Sequence, residues 1–254
     1  MGFEMYYRQD SLDRNSIEAT LEAARRIRTR PFLYKIYLDL YAFLERELES
    51  APSGPRLELG SGGGFLGERV PNLITSDIVP VPTVDLVASS VALPFGDGSL
   101  SAICMMNVLH HMGDVSAFFH EAERCLKPGG KIVMIETANT AWARFYFSHY
   151  HHEPCDPGQT SWQLPDAGRL SNPNQALPWI VFCRDSELFS RRHAGLRLAS
   201  IGHTMPFRYI LSGGASRARK IPDWSFPLLR GLERCLSPLD RWLGLFMQVV
   251  VHRV

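Results

Sequence analysis

The chain has 254 residues, of which 45% are hydrophobic and 21% are charged, the composition of an ordinary globular protein. Its formal net charge of +1 argues against a strongly electrostatic nucleic-acid binder, and its five scattered cysteines form no C-x-x-C pair, which argues against a disulfide framework or a zinc knuckle. No apolar run reaches the roughly 18 residues that a membrane span needs, and residues 1–10 lack a signal-peptide pattern, so we expect a cytoplasmic protein.

The first 54 residues predict two amphipathic helices. Residues 16–30 have Ser16 as a candidate N-cap, and Pro31 ends this helix or begins the next. Residues 32–49 place apolar side chains on one face at a spacing of three to four: Phe32, Ile36, Leu40, Phe43 and Leu44. A linker rich in Pro, Ser and Gly follows at 50–55. We therefore interpret residues 1–54 as N-terminal helices that cap a core.

Strands and helices alternate in the next segment, residues 55–137. We predict strands that end at Leu59 and that cover 73–77, 84–89, 100–106 and 131–136. The helix after the first strand must be short because Pro71 stops it, and Asp114 is a candidate cap for a helix over 115–126. This alternation predicts an α/β fold with a doubly wound, mostly parallel sheet.

Small or polar residues fall at the C-terminal ends of the predicted strands. They are Gly60, Asp77, Ser89, Asn107 and Glu136. Ligands of doubly wound sheets bind beyond this edge, where the strand order reverses. The sequence therefore predicts that these five residues meet in one crevice.

The segments after the core show less periodicity. Residues 140–178 are rich in Pro, His and Trp, so we interpret 138–194 as a lid or insertion, with a helical stretch over 180–189. Residues 195–254 contain a strand over 195–205, an aromatic and leucine-rich stretch, and a closing strand over 245–254 that we expect to be antiparallel. We treat residues 1–254 as one domain.

Five motifs in the core resemble class I S-adenosylmethionine-dependent methyltransferases, most closely the small-molecule branch. They are LELGSGGG (57–64), TSD (75–77), LPFGDGSL (93–100), NVLHH (107–111) and RCLKPGGKIVMIE (124–136). The resemblance covers about residues 55–137, with the motifs in the expected order. It implies a Rossmann-like fold, S-adenosyl-L-methionine as cofactor, and methyl transfer as the activity.

The resemblance assigns cofactor-binding residues position by position. Glu58 lies where the family has an acid near the cofactor's amino group, and Asp77 where an acid accepts both ribose hydroxyls; the alternatives are a buried structural acid and a helix cap. The full set is Glu58, Gly60, Ser61, Gly62, Gly64, Asp77, Ile78, Ser89, Ser90, Asn107 and Val108.

Two positions depart from the family pattern. Ser89 stands where an Asp often binds the adenine amino group, which puts side-chain recognition of adenine in doubt, and Ser90 follows it. Ser101 stands where an Asp is common near the start of the fourth strand, a position that we interpret as structural.

The candidate catalytic residues are His110 and Glu136. Histidine exchanges protons near neutral pH and can remove a proton from an acceptor during methyl transfer. In related enzymes the first His of LHH acts as the base, with an acid at the end of strand five as its partner. The alternative is that both residues only line the pocket, and that proximity and alignment are sufficient.

A ligand-rich stretch follows strand five and consists of His149, His151, His152, Glu153, Cys155 and Asp156. Imidazole and carboxylate groups suit several divalent ions. Neighbouring residues of one loop cannot all face one ion, however, so we expect a polar lid and no metal.

We therefore predict methyl transfer to a small-molecule acceptor, most plausibly at oxygen and less so at nitrogen or carbon. The aromatic C-terminal third suggests a hydrophobic or lipid-linked acceptor, or contact with a membrane surface. One alternative is a non-catalytic protein that binds the cofactor and acts as a regulator or partner. Another is an RNA methyltransferase, which the near-neutral charge and the absence of an N-P-P-Y-like motif disfavour.

Overall fold

The computed structural model describes residues 16–151, 153–164, 173–215 and 221–254. Within these ranges one sheet has seven strands: β1 Arg56–Leu59, β2 Leu73–Asp77, β3 Leu86–Val87, β4 Leu100–Met106, β5 Leu126–Thr137, β6 Leu196–Thr204 and β7 Phe246–Arg253. Their order is β3-β2-β1-β4-β5-β7-β6, and β7 is antiparallel to both neighbours while the other adjacent pairs are parallel. The prediction of a Rossmann-like sheet with an antiparallel C-terminal strand is confirmed.

Two N-terminal helices pack beside the sheet, as predicted. Helix α1 covers Ile17–Thr29, and the Ser16 hydroxyl accepts a hydrogen bond from Ala19 N at 3.1 Å, which caps it. Helix α2 covers Pro31–Glu49 and begins with proline at its first turn, where no backbone donor is lost. All five apolar positions predicted for one face of α2 are buried. Each buried Leu, Ile or Phe side chain contributes about 1.5–3 kcal/mol, so burial of this face fixes α2 on the core.

The third strand is shorter than predicted. Instead of spanning 84–89, β3 contains only Leu86 and Val87. On the N-terminal side, the Asp85 carboxylate accepts from both Thr75 N and Thr75 Oγ1 at 2.8 Å. The backbone N–H of Thr75 in β2 is therefore bonded to a side chain and not to a backbone carbonyl of β3. On the C-terminal side, Ala92 N donates to Ser89 O at 3.1 Å and turns the chain back. These local bonds limit an edge strand to two residues.

The core helices follow the predictions with small differences. After the glycine turn only a 3-10 helix forms, Leu66–Glu68, consistent with the stop at Pro71. Helix α3 covers Val115–Cys125, and the Asp114 carboxylate caps it by accepting from Ala117 N at 2.9 Å. Strand β5 already begins at Leu126 because this residue pairs with Leu100, with an irregular register across the Lys-Pro-Gly-Gly segment.

The low periodicity of 140–178 concealed a helix. Helix α4 covers Ala141–Tyr150, and the Thr140 hydroxyl caps it by accepting from Ala143 N at 3.1 Å. Only Ala143 and Phe147 are buried on this helix, so the apolar pattern that signals a helix is weak. The predicted helical stretch near 180–189 is confirmed: it consists of α5 Leu177–Trp179, a π-helical turn Ile180–Arg184 and α6 Ser186–Arg192.

The last third adds short helices around β6 and β7. They are α7 Arg208–Ser212, α8 Phe226–Leu236 and α9 Asp240–Leu243. None of the helices in the described part of the chain is both long and apolar enough to cross a membrane.

Candidate functional site

The glycine turn after β1 leaves bare backbone at the C-terminal edge of the sheet. Gly60 and Gly62 have φ values of +64° and +51°, which favour glycine. A Cβ on Gly60 would lie 2.5 Å from Val108 Cγ2, so a side chain is excluded there. A Cβ on Gly62 would meet nothing nearer than 3.7 Å, and the space above that backbone is open.

The N-terminal helices hold the far side of this turn. A Cβ on Gly63 would lie 2.6 Å from Ala24 N of α1, and one on Gly64 would lie 2.6 Å from the Tyr41 hydroxyl of α2. Phe65 N donates to that hydroxyl at 3.1 Å, and the Tyr34 ring stacks on Phe65 with 4.7 Å between centroids. The last two glycines therefore permit helix packing, a role that the sequence analysis missed. The sequence does contain a signal for this packing, because Tyr34, Tyr37 and Tyr41 follow one another at helical spacing in α2.

Two buried carboxylates flank the turn. Glu58 is 4% exposed and accepts from the Ser61 hydroxyl at 2.8 Å. Burial raises the pKa of Glu58 to about 7; the Ser61 hydrogen bond opposes this rise and the charge of Asp77 adds to it. Asp77 accepts from Gly62 N at 3.1 Å and from Val79 N at 3.3 Å. This half of the crevice is suited to a cationic ligand.

The remaining predicted residues of this half lie just beyond β2 and β3. Ile78 follows Asp77 and is 53% exposed, an unusual exposure for a large apolar side chain next to a buried strand. Ser89 and Ser90 are half-buried, and Ser89 Oγ accepts from Val91 N at 3.4 Å. Since Asp77 pairs with Val87, Ile78 after β2 and the two serines after β3 lie at the same edge of the sheet.

A tight turn after β4 is bound to the end of β5 by one carboxylate. Val108 N and Leu109 N both donate to Glu136 Oε1 at 2.8 Å, and His110 Nδ1 lies 2.7 Å from Glu136 Oε2. Glu136 is fully buried and His110 is 2% exposed. Glu136 thus fixes the backbone of the turn and the orientation of the imidazole ring.

Asn107 begins this turn in a strained conformation. Its φ is +56°, and its buried Oδ1 has no hydrogen-bond partner among the described residues. Such strain in a non-glycine residue costs of order 1 kcal/mol and clusters at ligand sites. Asn107 therefore presents a side-chain oxygen without a hydrogen-bond partner among the described residues. This oxygen is close to the glycine turn, because the next residue, Val108, touches Gly60.

The geometry also sets the proton on His110. A carboxylate oxygen accepts, so Nδ1 is the donor and Nε2 of the neutral ring is left as an acceptor. Nε2 lies 4.0 Å from Glu153 Oε2, and both residues line a cavity of about 150 Å³. The polar residues that line this cavity include Asn107, His110, His111, His151, Glu153 and Gln175. Its aromatic lining consists of Tyr146, Phe147, Tyr209 and Phe246.

The segment before α5 closes this cavity. Asn174 N donates to His110 O at 3.0 Å, and the Thr137 hydroxyl donates to Gln175 O at 2.6 Å. The Gln175 amide nitrogen in turn donates to Glu153. The sequence analysis singled out His110 and Glu153 but not Asn174, Gln175 or Tyr209, because these three residues reach the site through contacts between distant parts of the chain.

The structure separates the ligand-rich stretch that follows β5. His151 and Glu153 line the cavity, whereas His149 is exposed and its Nδ1 contacts Phe145 O at 2.8 Å. Cys155 is half-buried, with its pKa raised to about 11 by burial. Asp156 contributes its carbonyl oxygen to Asn174 Nδ2 at 2.9 Å, and His152 lies outside the described residues. The groups that do converge are His110, His111 and Glu153, with ligand atoms within 4.8 Å of one another.

Comparison with known proteins finds a family match in the core of the chain. Residues 57–134 match the family model described as a methyltransferase domain. The chain is 30% identical to a ubiquinone biosynthesis O-methyltransferase of Xanthomonas oryzae pv. oryzae over 35% of this chain and 45% of that protein. The chain thus spans less than half the length of the curated relatives it matches.

Solved structures share the fold across nearly the whole chain. A chain from the complex between the Haloferax volcanii Trm112 methyltransferase activator and a methyltransferase is 16% identical, with a TM-score of 0.51 over 94% of this chain and 96% of its own. A methyltransferase from Archaeoglobus fulgidus that depends on S-adenosylmethionine is 15% identical, with a TM-score of 0.50 over 86% and 94%. Residues 57–134 thus match a methyltransferase domain, and the chain shares its fold with solved methyltransferases, one of which depends on S-adenosylmethionine.

Proposed function

We propose that this protein transfers a methyl group from S-adenosylmethionine to an oxygen atom of a small molecule held in the cavity beside His110. The observation that carries this proposal is the buried Glu136–His110 pair, because His110 lines the cavity and the bond of its Nδ1 to Glu136 leaves Nε2 as the acceptor nitrogen. The cavity also adjoins the glycine turn, because Asn107 lines it and the next residue, Val108, touches Gly60. A cofactor on the turn and an acceptor in the cavity would therefore be neighbours.

The residues around the turn fit the proposed cofactor. S-adenosylmethionine is cationic and carries a ribose diol, and the crevice offers two buried carboxylates, open backbone at Gly62 and an unpartnered Asn107 oxygen. Glu58 would hold the amino group and Asp77 the ribose hydroxyls. Exposed Ile78 would pack on the adenine, next to Ser89 and Ser90. When bound, this cofactor supplies an electrophilic methyl group on a positively charged sulfur.

The chain's own residues supply proton transfer and positioning. His110 Nε2 would accept the proton of the acceptor hydroxyl as its oxygen gains the methyl group, a contribution of roughly 10²–10⁴-fold in rate. Glu136 is not among the residues that line the cavity and would act through His110, by keeping Nδ1 protonated and the ring oriented. The resulting imidazolium would lie between Glu136 and Glu153, so its positive charge would be compensated on both sides.

The character of the acceptor follows from the walls of the cavity. The aromatic rings in the lining favour an acceptor with an apolar or aromatic body, and the polar groups favour a hydroxyl near His110. The curated relative is a ubiquinone biosynthesis O-methyltransferase. Its name supports oxygen as the methylated atom and a hydrophobic molecule as the acceptor.

An exposed apolar face in the C-terminal third extends this proposal to membrane surfaces. Five large apolar side chains in the helical turns from Asp223 to Leu243 are 41–71% exposed: Trp224, Leu228, Leu232, Leu239 and Trp242. Arg234 and Arg241 are exposed on the same segment. Tryptophan, leucine and arginine together are typical of helices that lie in a membrane interface. We propose that this face brings the enzyme to hydrophobic acceptors.

The first experiment is calorimetric binding of S-adenosylhomocysteine, followed by transfer of labelled methyl groups to a panel of hydrophobic phenols and to lipid extracts. The wild type and His149→Ala should both bind and transfer, since His149 is exposed and outside the cavity. His110→Ala should bind S-adenosylhomocysteine normally and lose transfer. Absence of binding by the wild type, or full transfer by His110→Ala, would contradict the proposal.

The same experiment separates the enzyme from a non-catalytic regulator. A regulator would bind S-adenosylhomocysteine, and no acceptor in the panel would be methylated. The Trm112 activator seen with one structural neighbour belongs to that protein, and a co-purification screen would test for a partner of this one.

A further inference from the structure

A buried histidine at the opposite edge of the sheet has no use in the proposed reaction. His193 follows α6 and is fully buried. In the part of the chain that the structure describes, neither Nδ1 nor Nε2 of this ring has a hydrogen-bond partner. Its surroundings are the rings of Phe119, Phe189 and Trp162. Buried polar atoms are almost always satisfied, so two orphan nitrogens on one ring point to an absent ion or water.

Two further ligand groups face this ring from α3. His120 and Glu123 are three residues apart, which places them on the same side of a helix. The His120 and His193 rings lie 4.7 Å apart, and one ligand atom from each of the three residues lies within 4.8 Å of the others. His120 is exposed, so this side of the group opens to solvent.

The group lies far from the proposed active site. Glu123 is 3.9 Å from the Arg253 guanidinium, and Arg253 pairs with Leu196, the first residue of β6. This is the edge where the parallel strands begin, whereas Asn107 and Glu136 lie where they end. A ligand here would join α3 to the α6–β6 junction, 70 residues later in the chain.

We propose that His120, Glu123 and His193 bind a divalent transition-metal ion of the zinc type, with water as the fourth ligand. Zinc takes imidazole nitrogens and carboxylate oxygens at about 2.0–2.2 Å in a tetrahedron, so its ligand atoms lie about 3.3 Å apart. The present ligand atoms lie within 4.8 Å of one another, so binding requires the group to contract, and the exposed His120 side chain has the room to move. Magnesium and calcium prefer oxygen ligands throughout and do not suit two imidazoles.

The neighbouring arginine does not prevent binding. Arg253 is also held by three carbonyl oxygens, those of Glu123, Gly195 and Val254, at 2.8–3.1 Å. It can therefore keep its position when the Glu123 carboxylate turns to an ion.

The test is zinc titration of tag-free, EDTA-treated full-length protein, followed by metal analysis and thermal unfolding. The wild type should retain one zinc ion per chain. Its Tm should rise by about 5 °C or more once free zinc exceeds Kd a hundredfold. His120→Ala and Glu123→Gln alter partly or fully exposed side chains and should abolish both effects, and His149→Ala should behave as the wild type.

His193→Phe sharpens the result because it keeps a ring and removes the two orphan nitrogens. In EDTA its Tm should equal or exceed that of the wild type, and zinc should not change it. The proposal is overturned if zinc leaves the wild-type Tm unchanged, or if His120→Ala and Glu123→Gln still respond. A response that His111→Ala abolishes instead would move the ion to the acceptor cavity and also overturn it. Binding of S-adenosylhomocysteine in EDTA tests the proposed function separately.

Discussion

Two buried glutamates at the same edge of the sheet have opposite surroundings. Glu136, at the end of β5, contacts two backbone N–H groups and an imidazole nitrogen, and its bonds are complete within the protein. Glu58, in β1, accepts from one side chain, Ser61, and burial raises its pKa to about 7. In the proposed acceptor half of the crevice, the bonds of the buried glutamate are thus complete within the protein. In the proposed cofactor half, the buried glutamate can still bind a cationic ligand.

We expect the largest effect, on the rate of methyl transfer, from a substitution of Glu136 in the proposed acceptor half. Glu136→Gln keeps the shape but places an amide nitrogen against His110 Nδ1 or against the two backbone donors. We expect transfer to fall roughly 10²–10⁴-fold, with the affinity for S-adenosylhomocysteine changed only a few-fold. Steady-state rates and calorimetry measure the two effects. An equal loss of rate and affinity would show that Glu136 mainly maintains the fold.

In the proposed cofactor half, the burial of Glu58 should make the free energy of unfolding depend on pH. The folded state holds a proton on Glu58 up to a pKa of about 7, against 4.5 in the unfolded chain. The free energy of unfolding therefore falls as the pH rises from about 4.5 to about 7, by up to about 3 kcal/mol from this group.

Glu58→Gln removes this dependence. In cofactor-free protein, the variant should gain stability relative to the wild type between pH 5 and pH 8, as urea unfolding would measure. Glu68→Gln is a matched control, because Glu68 lies nearby on the surface and its pKa is lowered by its hydrogen bond to Arg28. A constant difference between Glu58→Gln and wild type across this pH range would contradict the assignment.

A smaller effect is expected for the second acid of the cofactor half. Asp77→Asn preserves size and can still accept from Gly62 N, but it loses the charge-assisted bonds proposed for the ribose hydroxyls. The affinity for S-adenosylhomocysteine should fall about 10- to 100-fold, which corresponds to about 1.4–2.7 kcal/mol. Thermal stability in the absence of ligand should change little. Unchanged affinity would remove Asp77 from the proposed site.

The smallest effect concerns the support of the glycine turn. Tyr41→Phe leaves the buried N–H of Phe65 without its acceptor and should cost about 1 kcal/mol in the free energy of unfolding. Tyr34→Phe, in which the ring still stacks on Phe65, is the control and should be nearly neutral. A loss of cofactor affinity in Tyr41→Phe alone would show that the helices also shape the cofactor half.

The same contrast explains what could be predicted from the sequence. The proposed cofactor half is built from residues next to strands that the sequence predicts. Glycines follow β1, and Asp77 is the last residue of β2, so the positions of these residues at the strand ends could be predicted from spacing alone. The acceptor half depends on contacts such as Gln175 with Glu153, and on Tyr209, which enters from a helix after β6. No local pattern signals such contacts. The weak apolar pattern of α4 hid a helix, and the pairing of Asp85 with Thr75 shortened β3 below its apolar run.

The position of β7 has a consequence for the order of assembly. This strand comes last in the chain but lies between β5 and β6, so β6 cannot join the sheet before β7 has entered. Leu245 and Phe246, which line the cavity, arrive with it. During synthesis, β1 to β5 emerge first, and we expect the cofactor half to form while the cavity is still missing a wall. Hydrogen exchange during refolding should show Met247–Val251 protected later than β1 and β4.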